Sequence, residues 1–300
     1  MVPCEPAAAL PPVDLAPSPP AHVAHYRRDG YAVARGVFMP DEIAELSSAF
    51  DRERASALKH GRSWRHGNLC YRVTDDPALG LVATMAQWPA YHDPVLARFR
   101  TDPRMLAIVA PLIGRDLKQI INQCHWKPPG AVAVDYSFHQ DVRFRRPRAA
   151  FRNLETAYIQ TGIAVDAHRR RNGGVRLLPG SQKLGEIAAL GEGAVMGKGS
   201  GESKLLAVGI DPTALVDLEL DPGDVALWGP FMVHGSGANT GGDQRRIYLN
   251  SYVRAGDCDR GEWAFRGGKP VKLGAPQLVH YEELYTRPGP HYLESAPPPD

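Results

Sequence analysis

From Lys118 onward the chain is divided into short β-prone runs: LKQIINQCHW, YSFHQDVRF, ETAYIQTGIAV, GVRLLPGS, ALVDLEL, DVALWG and RRIYLNSYV, with turn signals between them. No helical stretches alternate with these runs, so the rhythm of a parallel βαβ sheet is missing. An antiparallel sandwich or barrel is what can bury them. Gly (30) and Pro (27) are plentiful enough to supply the turns. In LDPGDV, Leu220 to Val225, Pro stands at the second turn position and Gly at the third, which predicts a type II turn joining two strands. Helices are expected ahead of the β region. After a strand in GYAVARGVF, the segment MPDEIAELSSAFDRERA puts Ile43, Leu46 and Phe50 at i, i+3 and i+7 behind an acidic first turn. A second helix has Asp102 as N-cap, Pro103 in the first turn, an apolar stripe of Met105, Leu106, Val109 and Leu112, and Gly114 as its stop. The expected class is α+β, mainly β, with N-terminal helices flanking a jelly roll or barrel.

The 300 residues suit one large domain, expected over 23–293. Residues 1–22 carry seven prolines and read as a disordered leader, and ESAPPPD, 294–300, as a flexible tail. A net charge of +2 does not suggest nucleic acid as a partner. Cys4, Cys70, Cys124 and Cys258 show no CxxC spacing and read as reduced thiols. No apolar run approaches the roughly 18 residues of a membrane span, and the N-terminus lacks a secretion signal. A soluble, cytoplasmic protein with no membrane partner is expected. The Gly-rich GEGAVMGKG lacks the strand-then-helix setting of a phosphate loop.

In DYSFHQDVRF, His139 and Asp141 are two residues apart. On a strand they would share a face about 7 Å apart along the backbone. A facial triad for non-haem iron needs two histidines and one carboxylate, and this pair would supply two of the three. Alone, such a pair is more often a hydrogen-bonded surface pair. His234, however, ends an apolar strand before a Gly-rich loop, where a buried imidazole needs partners for both ring nitrogens. Arg245 opens RRIYLNSYV, whose alternation puts Arg245, Ile247 and Leu249 on one face. An arginine there is a fork suited to a carboxylate.

Four motifs in this order, FHQD, NGGVRLLPGSQKLG, LDPGDVALW and HGSGANTGGDQRR, make the chain resemble the phytanoyl-CoA dioxygenase family of iron(II)- and 2-oxoglutarate-dependent oxygenases. The resemblance runs from HYRRDGYAVARGVFMPDEIAEL to about NSYVRAG. It implies a double-stranded β-helix, a cupin-like jelly-roll barrel with the metal at its mouth. It also implies His139, Asp141 and His234 as iron ligands and as the catalytic centre. Arg245 would bind the distal carboxylate of the co-substrate 2-oxoglutarate, assisted by Ser236, with Arg246 as the competing candidate. Iron(II), 2-oxoglutarate and dioxygen would be required, and ascorbate is expected to help in vitro. Related halogenases lack the carboxylate, so Asp141 favours an oxygenase outcome. The family commonly has histidine after the PGS turn, where this chain has Gln182.

On the co-substrate side, Gln119, Gln123 and Lys127 share one expected strand face, and Gln123 or Lys127 could touch 2-oxoglutarate or substrate. On the substrate side, DVRFRRPRAAFRN holds Arg143, Arg145, Arg146, Arg148 and Arg152. One or two of them could clamp an anionic substrate, and strand alternation favours Arg143, with Arg145 next. Trp64 and Tyr71, in the loop-like HGRSWRHGNLCYRV, are candidates for a lid, while His125 and His168 read as structural or exposed. The expected activity is hydroxylation of a small or medium-sized metabolite, such as a carboxylate, CoA ester or natural-product intermediate, with release of succinate and CO2. The same scaffold could instead serve desaturation, cyclisation or epimerisation. From another class, the alternative is a non-catalytic jelly roll that binds a metal or small anion.

Overall fold

A computed structural model of the chain describes residues 20–66, 68–191, 195 and 201–274. The expected leader lies outside these residues except for its last three, of which Ala21 and His22 open the first helix; the 294–300 tail lies wholly outside. Helix α1 (Ala21–Asp29) leads to β1 (Tyr31–Ala34) and α2 (Pro40–Lys59). Next come β2 (Trp64–His66), β3 (Leu69–Asp76), β4 (Gly80–Gln87), α3 (Pro94–Arg100) and α4 (Pro103–Ile113). The β region follows as β5 (Leu117–Lys127), β6 (Tyr136–His139), β7 (Tyr158–Ala164), β8 (Arg176–Leu177) and β9 (Val216–Asp217). It continues through β10 (Val225–Trp228), β11 (His234–Ser236), β12 (Arg245–Arg254), β13 (Glu262–Arg266) and β14 (Lys269–Pro270).

The strands form two antiparallel sheets. The larger runs β1-β10-β7-β12-β5-β4-β3-β2, with β13 and β14 attached through β5; the smaller runs β6-β11-β8-β9. This is the expected mainly-β jelly roll, with the two sheets remaining separate so that the barrel is not closed. The helices cover the outer face of the large sheet. Ile43, Leu46 and Phe50 of α2 are buried, and the Phe50 ring meets Trp126 of β5 edge-on at 5.4 Å. Helix α4 starts as its residues dictate: the Asp102 carboxylate accepts from the Arg104 N–H at 2.9 Å, and Gly114 ends the helix at φ +89°.

The LDPGDV turn is present. Gly223 takes φ +91°, and the Asp224 N–H donates to Asp221 O at 3.0 Å, as a type II turn requires. A Cβ on Gly223 would stand 2.2 Å from Phe38 O, so the turn packs directly on the segment entering α2.

Three local expectations fail. The loop-like HGRSWRHGNLCYRV, 60–73, instead carries β2 and the first part of β3, which with β4 extend the large sheet past β5. The Gly, His and Arg of that stretch hid β3, in which Leu69, Cys70, Tyr71 and Val73 are buried. The strand expected to carry both His139 and Asp141 stops at His139, and Asp141–Phe144 forms a 3-10 turn. Strand β5 also has a break in parity. Ser251 pairs with Ile121 and Tyr252 with Gln119, so Ile120 is the extra residue of a bulge. Gln119 therefore leaves the face of Gln123 and accepts from Arg100 Nε of α3 at 2.7 Å.

Candidate metal centre

Strands β6 and β11 pair so that His139 and His234 are cross-strand neighbours, with ring centroids 4.3 Å apart. Each ring is oriented by its own backbone: Nδ1 of His139 donates to Ser137 O at 2.7 Å, and Nδ1 of His234 to Met232 O at 3.0 Å. Both Nε2 atoms are thus left as lone-pair donors facing the same space, the arrangement in which histidines bind metals. Asp141 enters from the 3-10 turn, with Oδ1 3.7 Å from His139 Nε2 and 3.9 Å from His234 Nε2. One donor atom from each residue lies within 4.8 Å of the others, and all three residues are buried. The separations of 3.7 and 3.9 Å fall within the span of two bonds of about 2.1 Å, typical of first-row metals with N and O ligands. The donor set fits an iron(II) ion.

The Trp228 indole N–H donates to Asp141 Oδ2 at 3.3 Å, fixing the carboxylate with its other oxygen toward the histidines. Burial opposes ionisation of Asp141, but His234, His139 and Arg145 outweigh it and hold the carboxyl below its usual range. Burial, with His139 adding to it, lowers His234 from 6.5 to about 4.

The three residues line a cavity of about 540 Å³ between the sheets. At one side of it Arg245 Nε donates to Gly173 O at 3.0 Å and Nη2 to Ser236 Oγ at 3.4 Å. Lys127 Nζ donates to the same Ser236 Oγ at 2.8 Å and to Gly237 O. Burial, then the neighbouring Arg245 guanidinium, lowers Lys127 well below its ordinary value; burial lowers Arg245 to about 10. A buried guanidinium and a buried amine share a serine hydroxyl with no carboxylate between them, which makes this corner suited to a ligand anion. Arg246 faces away: it forms a two-point pair with Asp166 at 2.8 and 2.9 Å and also reaches Asp51.

Gln123 lines the cavity and its Oε1 accepts from His125 Nε2 at 2.9 Å, while His125 Nδ1 accepts from the Tyr136 hydroxyl at 2.7 Å. His125 is therefore a cavity residue rather than a bystander. Its odd-numbered place beside Gln123 on β5 was the available signal. Tyr136, Trp228 and Arg72 also line the cavity and were not anticipated. His168 is wholly buried, with its Nε2 donating to Arg246 O at 3.2 Å.

Trp64 and Tyr71 are not at the cavity. Tyr71 is buried against α2, donating to Glu53 Oε2 at 2.9 Å, and Trp64 stacks on His60 at 4.3 Å. In β3 it is the next residue, the exposed Arg72, that lines the cavity, because strand neighbours face opposite sides. Of the basic run, Arg143 is half-buried and donates to Leu190 O at 3.3 Å. Arg145 is wholly buried in the cavity wall; the turn after His139 cancels the strand alternation that favoured Arg143. Arg152 lies outside the site, paired with Asp259 at 2.8 Å. The described cysteines, Cys70, Cys124 and Cys258, are free and buried. Among the described residues no helix is long and apolar enough to cross a membrane.

A pH dependence follows from the buried histidines. His125 is lowered to about 3, by burial first and then by Arg245, and His234 to about 4. Unfolded, both titrate near 6.5, so between pH 6.5 and about 4 the unfolded chain binds more protons and stability falls as pH falls. Urea unfolding of metal-free protein is expected to lose on the order of 3 kcal/mol for His234 alone by pH 4. A midpoint that stays flat from pH 7 to 4 would contradict the burial of these neutral rings.

Residues 26–247 match the phytanoyl-CoA dioxygenase (PhyH) family. The chain is 26% identical over 261 residues to Dioxygenase lolE1 of Epichloe uncinata, covering 85% of this chain and 87% of that one. It is 24% identical over 191 residues to a 2-aminoethylphosphonate dioxygenase of Uncultured bacterium HF130_AEPn_1, covering 63% and 66%. Among solved structures, EctD from S. alaskensis with 2-oxoglutarate and 5-hydroxyectoine superposes with a TM-score of 0.60 at 20% identity, covering 93% of this chain and 91% of that one. The epimerase SnoN in complex with Fe3+, alpha ketoglutarate and nogalamycin RO gives 0.57 at 20%, covering 87% and 95%. These two structural likenesses speak for the fold.

Proposed function

Because this chain belongs to the phytanoyl-CoA dioxygenase family of iron- and 2-oxoglutarate-dependent oxygenases, we propose that it hydroxylates an unactivated C–H bond of a small or medium-sized anionic metabolite, releasing succinate and CO2. The observation that carries this reading is the convergence of His139, Asp141 and His234 in one cavity with Arg245. In this reading His139, Asp141 and His234 hold iron(II), and Arg245, Ser236 and Lys127 hold the distal carboxylate of 2-oxoglutarate. Iron(II), 2-oxoglutarate and dioxygen together supply an oxidant able to break an unreactive C–H bond.

The chain's own residues do the positioning. Ser137 and Met232 carbonyls orient the imidazoles, and the Trp228 N–H orients the carboxylate. Arg245 meets the keto acid as a preformed, water-shielded cation with Lys127 and Ser236 fixed beside it, so little reorganisation is needed on binding. Ile121, Val175, Ile247 and Leu249 make the cavity wall apolar, which excludes competing water from the reacting atoms. A relative named for 2-aminoethylphosphonate supports a small anion-bearing substrate here.

Purified protein given iron(II), ascorbate and 2-oxoglutarate is expected to release succinate slowly without substrate, and faster with a productive one. A product heavier by one oxygen identifies hydroxylation; unchanged mass or loss of two hydrogens would replace it with epimerisation, or with desaturation or cyclisation. Iron binding with no succinate under any carboxylate, phosphonate or CoA ester would leave the non-catalytic binder.

A further inference from the structure

Arg145 closes the turn that follows Asp141 and is wholly buried. Its Nη2 donates to the Tyr158 hydroxyl at 2.5 Å, and its guanidinium lies 4.8 Å from the Tyr158 ring centroid. Nε and Nη1 are buried and have no hydrogen-bond partner. Among the described residues no carboxylate comes within ion-pair distance of it; Asp141, whose carboxyl it helps to hold low, acts on it only from farther off, and Glu186 pairs with Arg146 and Arg148. A fully buried guanidinium with unmatched donors is strongly unfavourable unless an anion completes it. A folded protein retains such a group where a ligand supplies the missing charge.

Arg145 lines the same cavity as the His–Asp–His cluster. It shares no bonding partner with Arg245, whose contacts are Gly173 and Ser236. We infer that Arg145 recognises the acidic group of the primary substrate, an organic carboxylate or phosphonate whose apolar body lies along Ile121, Val175, Ile247 and Leu249. This deepens the oxygenase reading and rests on it for the role of the ligand as substrate. The binding itself does not depend on that reading. Arg143, half-buried at the rim and stacked 5.2 Å from the Phe144 ring, is not the anchor.

The test is anaerobic calorimetric titration of hexanoate, pentylphosphonate and neutral hexanamide into the full chain, with and without iron(II) and 2-oxoglutarate. At least one of the two anions is expected to bind about tenfold more tightly than hexanamide, and Arg145→Gln to abolish that preference. The affinity for 2-oxoglutarate is expected to change by less than about twofold in the variant, since Arg245 is untouched. Which anion prevails separates a carboxylate from a phosphonate substrate. A second readout needs no ligand: Arg145→Met is expected to raise the thermal midpoint of the free protein, because it removes a buried guanidinium with unmatched donors.

The inference is overturned if neither anion is preferred by the wild type, or if Arg145→Gln keeps the preference. It is also overturned if 2-oxoglutarate affinity falls in parallel, or if Arg145→Met lowers the midpoint as loss of a structural clamp on Tyr158 would. Anion preference without any iron- and 2-oxoglutarate-dependent succinate would sink the oxygenase reading and leave the Arg145 site standing.

Discussion

His234→Ala is expected to lower iron-dependent succinate formation by about a thousandfold or more, equivalent to roughly 4 kcal/mol of lost transition-state stabilisation. The imidazole is fixed by Met232 O and faces both His139 and Asp141, so nothing nearby can replace its Nε2. Asp141→Asn should be nearly as damaging. An amide keeps the shape but removes the negative charge, and it can turn a donor N–H toward two imidazole lone pairs. Calorimetry with iron(II) separates the causes: both variants should lose metal affinity while the fold, monitored by circular dichroism, is kept. Wild-type iron affinity in either variant would refute the three-residue centre.

Arg245→Gln is expected to raise the KM for 2-oxoglutarate by about a hundredfold, the scale of a broken buried charge pair, with substrate affinity little changed. Arg245→Lys should recover only part of this, because an ammonium cannot present the planar fork that a carboxylate accepts from two sides. Lys127 still presents a hydrogen-bond donor in the corner beside Ser236, so binding weakens but is not abolished. The adjacent arginine is the control. Arg246→Gln breaks the pairs to Asp166 and Asp51 and should reduce stability by about 2 kcal/mol, leaving the keto-acid KM unchanged. If the two variants exchanged these behaviours, the co-substrate corner would have been assigned to the wrong residue.

Much of the site was legible because its signals are short and local. Strand alternation separated Arg245 from Arg246, and it grouped Arg245 with Ile247 and Leu249 on the cavity side. The Pro-Gly pair at 222–223 marked its turn, and the Asp102–Pro103 cap marked α4. Alternation misled wherever the strand ended or bulged. Beyond His139 the 3-10 turn buries Arg145 and leaves Arg143 at the rim; at Ile120 the bulge moves Gln119 to the helical face. Trp64 and Tyr71 were singled out for their chemistry, yet their strands show them to α2 and His60, and the cavity-lining Arg72 went unnoticed.

By itself the sequence determined the helices α2 and α4 ahead of a run of short strands, the turns that Gly and Pro permit, and the kinds of side chain available for metal and anion. Those properties depend on backbone preferences within a few residues. Only the tertiary structure decided that His139 and His234, 95 positions apart in the chain, are opposite each other, and that Trp228 steadies Asp141. It alone singled out one arginine in a run of five for full burial with two of its donor nitrogens unmatched. Such outcomes arise from how the two sheets pack across the cavity, and neither spacing nor composition encodes that distance.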